Sequence, residues 1–148
     1  MSPGMDDAIA WCLTEPRTWA VVGCSPSPHR DSHGIAAMLI GEGHTVVPVN
    51  PDVDEVLGQR CYPALGEVPG PVDVVDVFRR SEAAGAHVDE AIAIGARAVW
   101  LQLGVIDHDA AERARSAGLH VVMDRCPRIE LPRMRARGLA CPPIRWGP

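Results

Sequence analysis

Short apolar runs rich in valine alternate along the chain with alanine-rich segments whose apolar residues recur at a helical period. The runs predict five buried strands, over residues 19–23, 45–49, 72–77, 98–101 and 119–123. The alanine-rich segments predict helices over 32–43, 81–95 and 107–118, each ending at a glycine, where a left-handed backbone is easiest. A short helix is also expected before Pro16 and a shorter one over 53–57.

This alternation of strands and helices predicts an α/β fold, a Rossmann-like doubly wound parallel sheet in three layers. A length of 148 residues suits one domain. We expect that domain to span residues 1–131. The segment 132–148, which ends in the proline-rich stretch "CPPIRWGP", is expected to be a C-terminal arm outside the fold.

Composition and charge exclude several classes of function. The net charge is −5, and all 14 basic residues are arginines without a basic stripe, so no nucleic-acid partner is expected. The lack of lysine excludes a Schiff base and a Walker lysine. No apolar run approaches the roughly 18 residues of a membrane span, and no membrane partner or signal peptide is expected. The five cysteines contain no Cys-x-x-Cys pair and the histidines form no ligand set, which predicts free thiols, no metal site and a cytoplasmic location.

The loop after the first predicted strand, "GCSPSPHRDSHG", carries the features of a phosphate-binding loop. Gly23 lets backbone approach a ligand, Ser25 and Ser32 offer hydroxyls, and Arg30 offers a cation beside the N-terminus of the next helix. We expect Gly23→Val to abolish binding and to leave the fold largely intact. The alternative is that Ser32 only caps the helix and the prolines only shape a turn.

The second predicted strand ends in "VVPVNP", where a nicotinamide-binding protein would have an acidic residue. The G-x-G-x-x-G fingerprint of such proteins is missing as well. Pro48 and Pro51 bracket Val49 and Asn50 in a stiff apolar ledge on which an adenine ring could lie, with Asn50 as a hydrogen-bonding partner. The alternative is a strand that proline simply stops.

Polar residues also follow the later strands, in "DVFRR", "WLQLGV" and "VVMDRCPRIE". Ligands of open parallel sheets bind beyond the carboxyl ends of the strands, so Arg79, Gln102, Arg125 and Cys126 are expected along one edge. These segments also have structural alternatives. Phe78 could be a core residue, Arg79 could lie at a solvated helix start, Gln102 could only cap a turn, and Cys126 could be a small buried side chain.

Four motifs, "AVVGCSPSPHRDSHGIAAMLIGEGHTVVPVNP", "VDVVDVFRR", "AIAIGARAVWLQLGV" and "GLHVVMDRCPRIE", resemble in this order the small single-domain CoA-binding proteins. That family is related to the CoA-binding domain of the succinyl-CoA synthetase α subunit. The resemblance covers residues 17–131 and implies a Rossmann-like fold that binds coenzyme A. By analogy, it implies that the diphosphate is held by Gly23, Cys24, Ser25 and Pro26. It implies that the adenosine is flanked by Pro48, Val49, Asn50 and Pro51. It also implies that the pantetheine arm passes Val77, Phe78 and Arg79 towards Gln102, Leu103 and Gly104.

The sequence departs from the family pattern at two positions. Asp52 stands where family members often carry a basic residue near the ribose 3′-phosphate, which leaves Arg30 or Arg79 as the cation for that phosphate. Cys24 stands where a small apolar residue is common and places a thiol beside the ligand loop. The second domain and partner subunit that carry the synthetase's catalytic parts do not fit within this chain length.

The expected function is therefore binding of coenzyme A or acyl-CoA, without acyl-transfer chemistry or a catalytic residue of its own. One alternative is a small thiol-dependent enzyme or redox module that acts on CoA disulfides through Cys24 or Cys126. Cys126 is the better placed of the two, because Arg125 and Arg128 flank it and the pantetheine thiol is expected to point its way. A nicotinamide-dependent oxidoreductase is the other alternative. A protein partner or homo-oligomer stays open.

Overall fold

The computed structural model describes residues 4–138. Its strands are β1 (Thr18–Val22), β2 (Thr45–Val49), β3 (Glu55–Val56), β4 (Gln59–Arg60), β5 (Val74–Val77), β6 (Ala98–Leu101) and β7 (His120–Val122). Its helices are α1 (Met5–Leu13), α2 (Asp31–Gly41), α3 (Ser81–Ala93), α4 (His108–Ser116) and α5 (Pro127–Ala136), with a 3₁₀ turn at Leu65–Glu67. The longer strands form a five-stranded sheet in the order β2-β1-β5-β6-β7, with every pair parallel.

Helices cover both faces of this sheet, because successive side chains of each buried strand point to opposite sides. Trp19 and Val21 of β1 pack on the face that α1, α2 and α5 cover, whereas Ala20 and Val22 pack on the face that α3 and α4 cover. Trp19 and Trp100, both fully buried, meet in the first of these layers with ring centroids 5.6 Å apart. The predicted three-layer Rossmann-like fold is confirmed.

The strand order reverses beside β1, which lies between β2 and β5. The chain leaves β1 for α2 on one face of the sheet and leaves β5 for α3 on the other face. The segments that follow β1 and β5 therefore diverge, and a crevice opens between them at the carboxyl edge of the sheet. Open α/β sheets bind their ligands at this topological position.

Two elements differ from the sequence expectation. The helix predicted over 53–57 is wrong, because residues 55–60 form the β3–β4 hairpin, whose turn residues Leu57 and Gly58 both have positive φ. Helix α5 was not predicted, and it carries the fold beyond residue 131: Met134 is fully buried against α1, α2 and the sheet. Residues 132–136 thus belong to the domain and not to the expected arm, whose last part, 139–148, lies outside the described residues.

Two prolines explain why α5 does not look helical in sequence. Pro127 occupies the first helical position, where its missing N–H is harmless. Pro132 lies inside the helix but on its exposed side, so one backbone hydrogen bond is lost while the buried side remains intact. Within residues 4–138, no helix is both long and apolar enough to cross a membrane.

Candidate functional site

The loop between β1 and α2, residues 23–30, begins with a glycine that no other residue could easily replace. Gly23 has φ +84°, and a Cβ placed on it would lie 2.5 Å from the carbonyl oxygen of Phe78. The ends of β1 and β5 therefore touch through backbone at this point. The expectation that Gly23→Val would spare the fold is wrong, since the added side chain would meet Phe78 before it met any ligand.

Hydrogen bonds from three side chains fix the shape of this loop. Ser32 Oγ accepts a hydrogen bond from the backbone N–H of Ser25 at 3.0 Å, and Ser25 Oγ accepts one from Ser27 at 3.0 Å. Asn50, at the end of β2, donates from Nδ2 to the carbonyl oxygen of Cys24 at 2.9 Å. Ser32 is thus not the helix cap. It holds the loop against the helix.

The loop and the N-terminus of α2 enclose a cavity of about 560 Å³, which we call the loop cavity. Helix α2 begins at Asp31, and the backbone N–H groups of Asp31 and Ser32 donate to no group in the described part of the chain. Free N–H groups at a helix N-terminus favour an anion. The cavity is lined by Gly23, Ser25, His29, Arg30, Asp31, Ser32, Phe78 and Arg79.

A second cavity of about 410 Å³, which we call the apolar cavity, adjoins the first. The two share Asp31, Phe78 and Arg79, so together they form one continuous groove. The carboxyl ends of β5 and β6 and the first turn of α5 supply its walls. Its apolar lining consists of Ile35, Phe78, Leu103, Val105, Cys126 and Ile129, and its polar lining of Asp31, Arg79, Arg80, Gln102 and Arg128.

The arginines of the protein divide into two groups. Of the 13 in the described part of the chain, six pair with carboxylates, Arg125 donates to a backbone carbonyl, and Arg60 and Arg97 lie over aromatic rings. The other four side chains have neither a salt bridge nor a hydrogen bond to any described residue, and all four line the groove. They are Arg30, Arg79, Arg80 and Arg128. Four unpaired guanidinium groups at one groove favour an anionic ligand.

A buried carboxyl group lies behind the apolar cavity. Asp76, in β5, is fully buried, and Gln102 donates to its Oδ1 from Nε2. Asp76 Oδ2 has no partner among the described residues, and burial raises the pKa of this carboxyl to about 8. No described group donates to Gln102 Oε1, so this oxygen is available as an acceptor where Gln102 lines the cavity.

Sequence reasoning found Gln102 but missed Asp76. The signal was present, because the second of the two aspartates in "VDVVDV", Asp76, has a valine on either side within a predicted buried strand. A fully buried aspartate in such a strand needs a partner, and Gln102 is that partner.

The two cysteines that were expected beside the ligand differ in their surroundings. Cys24 is fully buried in the core, and burial raises the pKa of its thiol to about 12, which disfavours the thiolate at neutral pH. Cys126 is half-buried and lines the apolar cavity at the start of α5. The structure thus separates an inert thiol from an accessible one.

The remaining predicted residues lie outside the two cavities. Val77 is fully buried on the α3–α4 side of the sheet, and Pro48 and Val49 are buried within β2. The side chain of Asn50 is already committed, since its Oδ1 accepts from Asp52 N at 2.9 Å while its Nδ2 binds the loop. Arg125, which was expected along the same edge, donates to the carbonyl oxygen of Asp124 and lines neither cavity. Pro26, Pro51 and Gly104 line neither cavity as well.

Comparison with known proteins assigns the family. The family model described as "CoA binding domain" matches residues 17–132, which is most of the chain. The protein belongs to this family, and the resemblance seen in the sequence is confirmed.

Individual relatives agree with that assignment. The uncharacterized protein YneT of Bacillus subtilis is 37% identical over 110 residues, which cover 74% of this chain and 82% of YneT. A solved structure of a hypothetical protein from Pyrococcus horikoshii is 38% identical, with a TM-score of 0.82 over 88% of this chain and 92% of that one. An ADP-forming acetate–CoA ligase of Archaeoglobus fulgidus is 28% identical over 77% of this chain, and the match spans only 18% of the ligase.

Proposed function

We propose that the protein binds coenzyme A, free or acylated, and has no acyl-transfer chemistry of its own. The observation that carries this proposal is the groove, in which Arg30, Arg79 and free helix N–H groups line the loop cavity and mainly apolar side chains line the adjoining cavity. Coenzyme A has the same polarity along its length, with phosphates on the nucleotide and a neutral pantetheine arm. Membership of the CoA binding domain family supports the same ligand.

The diphosphate is proposed to lie against the loop 23–26 and the N-terminus of α2, where the N–H groups of Asp31 and Ser32 are free. Arg30 and Arg79 line the same cavity and are the proposed cations for the phosphates, including the 3′-phosphate. The adenosine is proposed to lie near Pro51, the exposed end of the predicted ledge.

The pantetheine arm is proposed to enter the apolar cavity past Phe78. Its amide and thiol groups are hydrogen-bond donors, and Gln102 Oε1 is an acceptor without a partner on that wall. The roles expected for Leu103 and Cys126 at the inner end fit this direction, since both line the cavity.

The proposal assigns no catalytic residue. The groove contains no hydrogen bond between a nucleophile and a base among the described side chains, and the matched region is a small part of the acetate–CoA ligase. A cytoplasmic location belongs to the same proposal.

Cys126 supports a second candidate function, thiol exchange with a CoA disulfide. In that reaction the Cys126 thiolate would attack one sulfur of the disulfide, form a protein–CoA mixed disulfide and release one CoA thiolate. Its position in the apolar cavity is the supporting observation. No observation favours the nicotinamide alternative, because the residue after β2 is an asparagine whose side chain is occupied.

Mass spectrometry of the purified protein tests the proposal, because native spectra should show a CoA species that is released on denaturation. The double variant Arg30→Gln/Arg79→Gln should then weaken CoA binding at least about tenfold, the loss expected for charge-assisted hydrogen bonds. Arg115→Gln is the matched control, since Arg115 lies on α4 and lines neither cavity. Equal CoA affinity of the double variant and the control would contradict the proposed site.

A further inference from the structure

Two of the unpaired arginines lie where the proposed ligand offers them no charge. Arg80 and Arg128 line the apolar cavity but not the loop cavity. If the phosphates occupy the loop cavity, the part of coenzyme A that enters the apolar cavity is the neutral pantetheine arm. The pantetheine arm leaves both guanidinium groups without an anionic partner.

We infer that the apolar cavity holds the acyl group of a CoA thioester and that this acyl group ends in a carboxylate. The inference rests on the proposed function and names the class of ligand. Aliphatic and aromatic side chains from α2, α5 and the segments that follow β5 and β6 would contact the methylene groups of the acyl chain. The guanidinium groups of Arg80 and Arg128 would bind its terminal carboxylate.

The placement of Arg128 supports this assignment. Arg128 lies in the first turn of α5, and its guanidinium group reaches across to α2, where a Cβ on Gly34 would collide with it. Gly34 therefore makes room for the side chain between the two helices at the mouth of the cavity. Arg80 approaches from the opposite side, at the N-terminus of α3.

The apolar lining argues against a purely ionic site. Ile129 and Leu103 are 55% and 62% exposed, and both lie on the cavity wall with the half-buried Phe78 and Cys126. Large apolar side chains left open to solvent beside unpaired cations suit a ligand that has an apolar chain and an anionic end. Asp31 is the one carboxylate of the cavity lining, against three arginines, so the lining stays net positive.

A phosphate could use the same two arginines, because a phosphate and a carboxylate offer guanidinium similar acceptors. The 3′-phosphate of coenzyme A is the competing source of that charge. The two sources can be distinguished, because the 3′-phosphate is present in every CoA ester, whereas the terminal carboxylate is present only in dicarboxylic acyl groups.

Calorimetric titrations with esters of equal chain length provide the test. Succinyl-CoA is compared with butyryl-CoA and glutaryl-CoA with valeryl-CoA, so that each pair differs in a terminal carboxylate against a methyl group. In at least one pair, the dicarboxylic ester should bind at least about five times more tightly than its monocarboxylic counterpart, as expected for partly exposed ion pairs. In Arg80→Gln and Arg128→Gln this ratio should fall towards one, whereas Arg115→Gln should keep it.

The possible failures point to different parts of the account. If neither CoA nor any ester binds, the proposed function itself fails. If CoA binds and the ratio is one in both pairs, only the inference about the acyl group is overturned. If Arg128→Gln weakens CoA but leaves dephospho-CoA unchanged, the arginine binds the 3′-phosphate and the carboxylate assignment is wrong.

Discussion

Replacing Gly23 with alanine tests the contact between the two strand ends that form the crevice. The new Cβ would lie 2.5 Å from Phe78 O and 3.3 Å from Phe78 C, closer than backbone atoms tolerate. Alanine at φ +84° costs about 1–2 kcal/mol by itself. Overlap with backbone that cannot rotate away adds about 1–3 kcal/mol, as in other overpacked sites. Gly23→Ala is therefore expected to lower the free energy of unfolding by about 3 kcal/mol.

Gly43→Ala separates the two costs. Gly43 has φ +94°, but no atom lies within 4 Å of a Cβ built on it, so this variant carries only the conformational cost. Urea denaturation of the parent and both variants measures the difference. If Gly23→Ala loses no more stability than Gly43→Ala, the close approach at Phe78 is not a constraint. The Gly23 variant should also bind CoA more weakly, because Phe78 lines both cavities.

Three further outcomes are expected. Asp76→Asn should gain stability relative to the parent as pH rises from about 5 to 7. In the native parent the carboxyl keeps its proton up to a pKa of about 8, whereas in the unfolded chain it ionises near 4. The free energy of unfolding of the parent therefore falls by on the order of 1 kcal/mol per pH unit in this range. Parallel pH profiles in urea denaturation would contradict the buried protonated carboxyl. Iodoacetamide should alkylate Cys126 in the native protein, CoA should protect it, and Cys24 should stay unmodified, as peptide mass spectrometry would show. Ser32→Ala should lower the free energy of unfolding by about 1 kcal/mol and weaken CoA binding, because the backbone N–H of Ser25 loses its acceptor. Unchanged affinity would mean that the loop keeps its shape without that hydrogen bond.

The fold was largely predictable because its signal is local. Buried parallel strands have both faces covered and so appear as valine runs, and the intervening helices end at glycines such as Gly43 and Gly118, which have positive φ. Helix α5 was not predictable in the same way. Its two prolines argue against a helix locally, and what stabilises it is tertiary, chiefly the burial of Leu131 and Met134.

The candidate site was predictable as a set of segments but not in its internal contacts. Parallel topology brings the residues after β1, β5 and β6 to one edge, which is why Arg30, Arg79 and Gln102 were expected together. Sequence cannot show that the Ser32 hydroxyl and the Asn50 amide bind the loop backbone, because those partners are 7 and 26 residues away. The pairing state of each arginine also depends on tertiary contacts.

Calorimetric titration of the protein with coenzyme A and, separately, with NAD tests the central claim most directly. Both ligands carry an adenosine diphosphate, so the comparison isolates what the groove recognises beyond it. Coenzyme A is expected to bind with one site per chain, because the apolar cavity accepts its pantetheine arm and the unpaired arginines accept its phosphates. NAD is expected to show no saturable binding, since the residue directly after β2 is Asn50 and not a carboxylate that could bind its ribose. Binding of NAD as tight as that of coenzyme A, or no heat of binding with coenzyme A, would contradict the account.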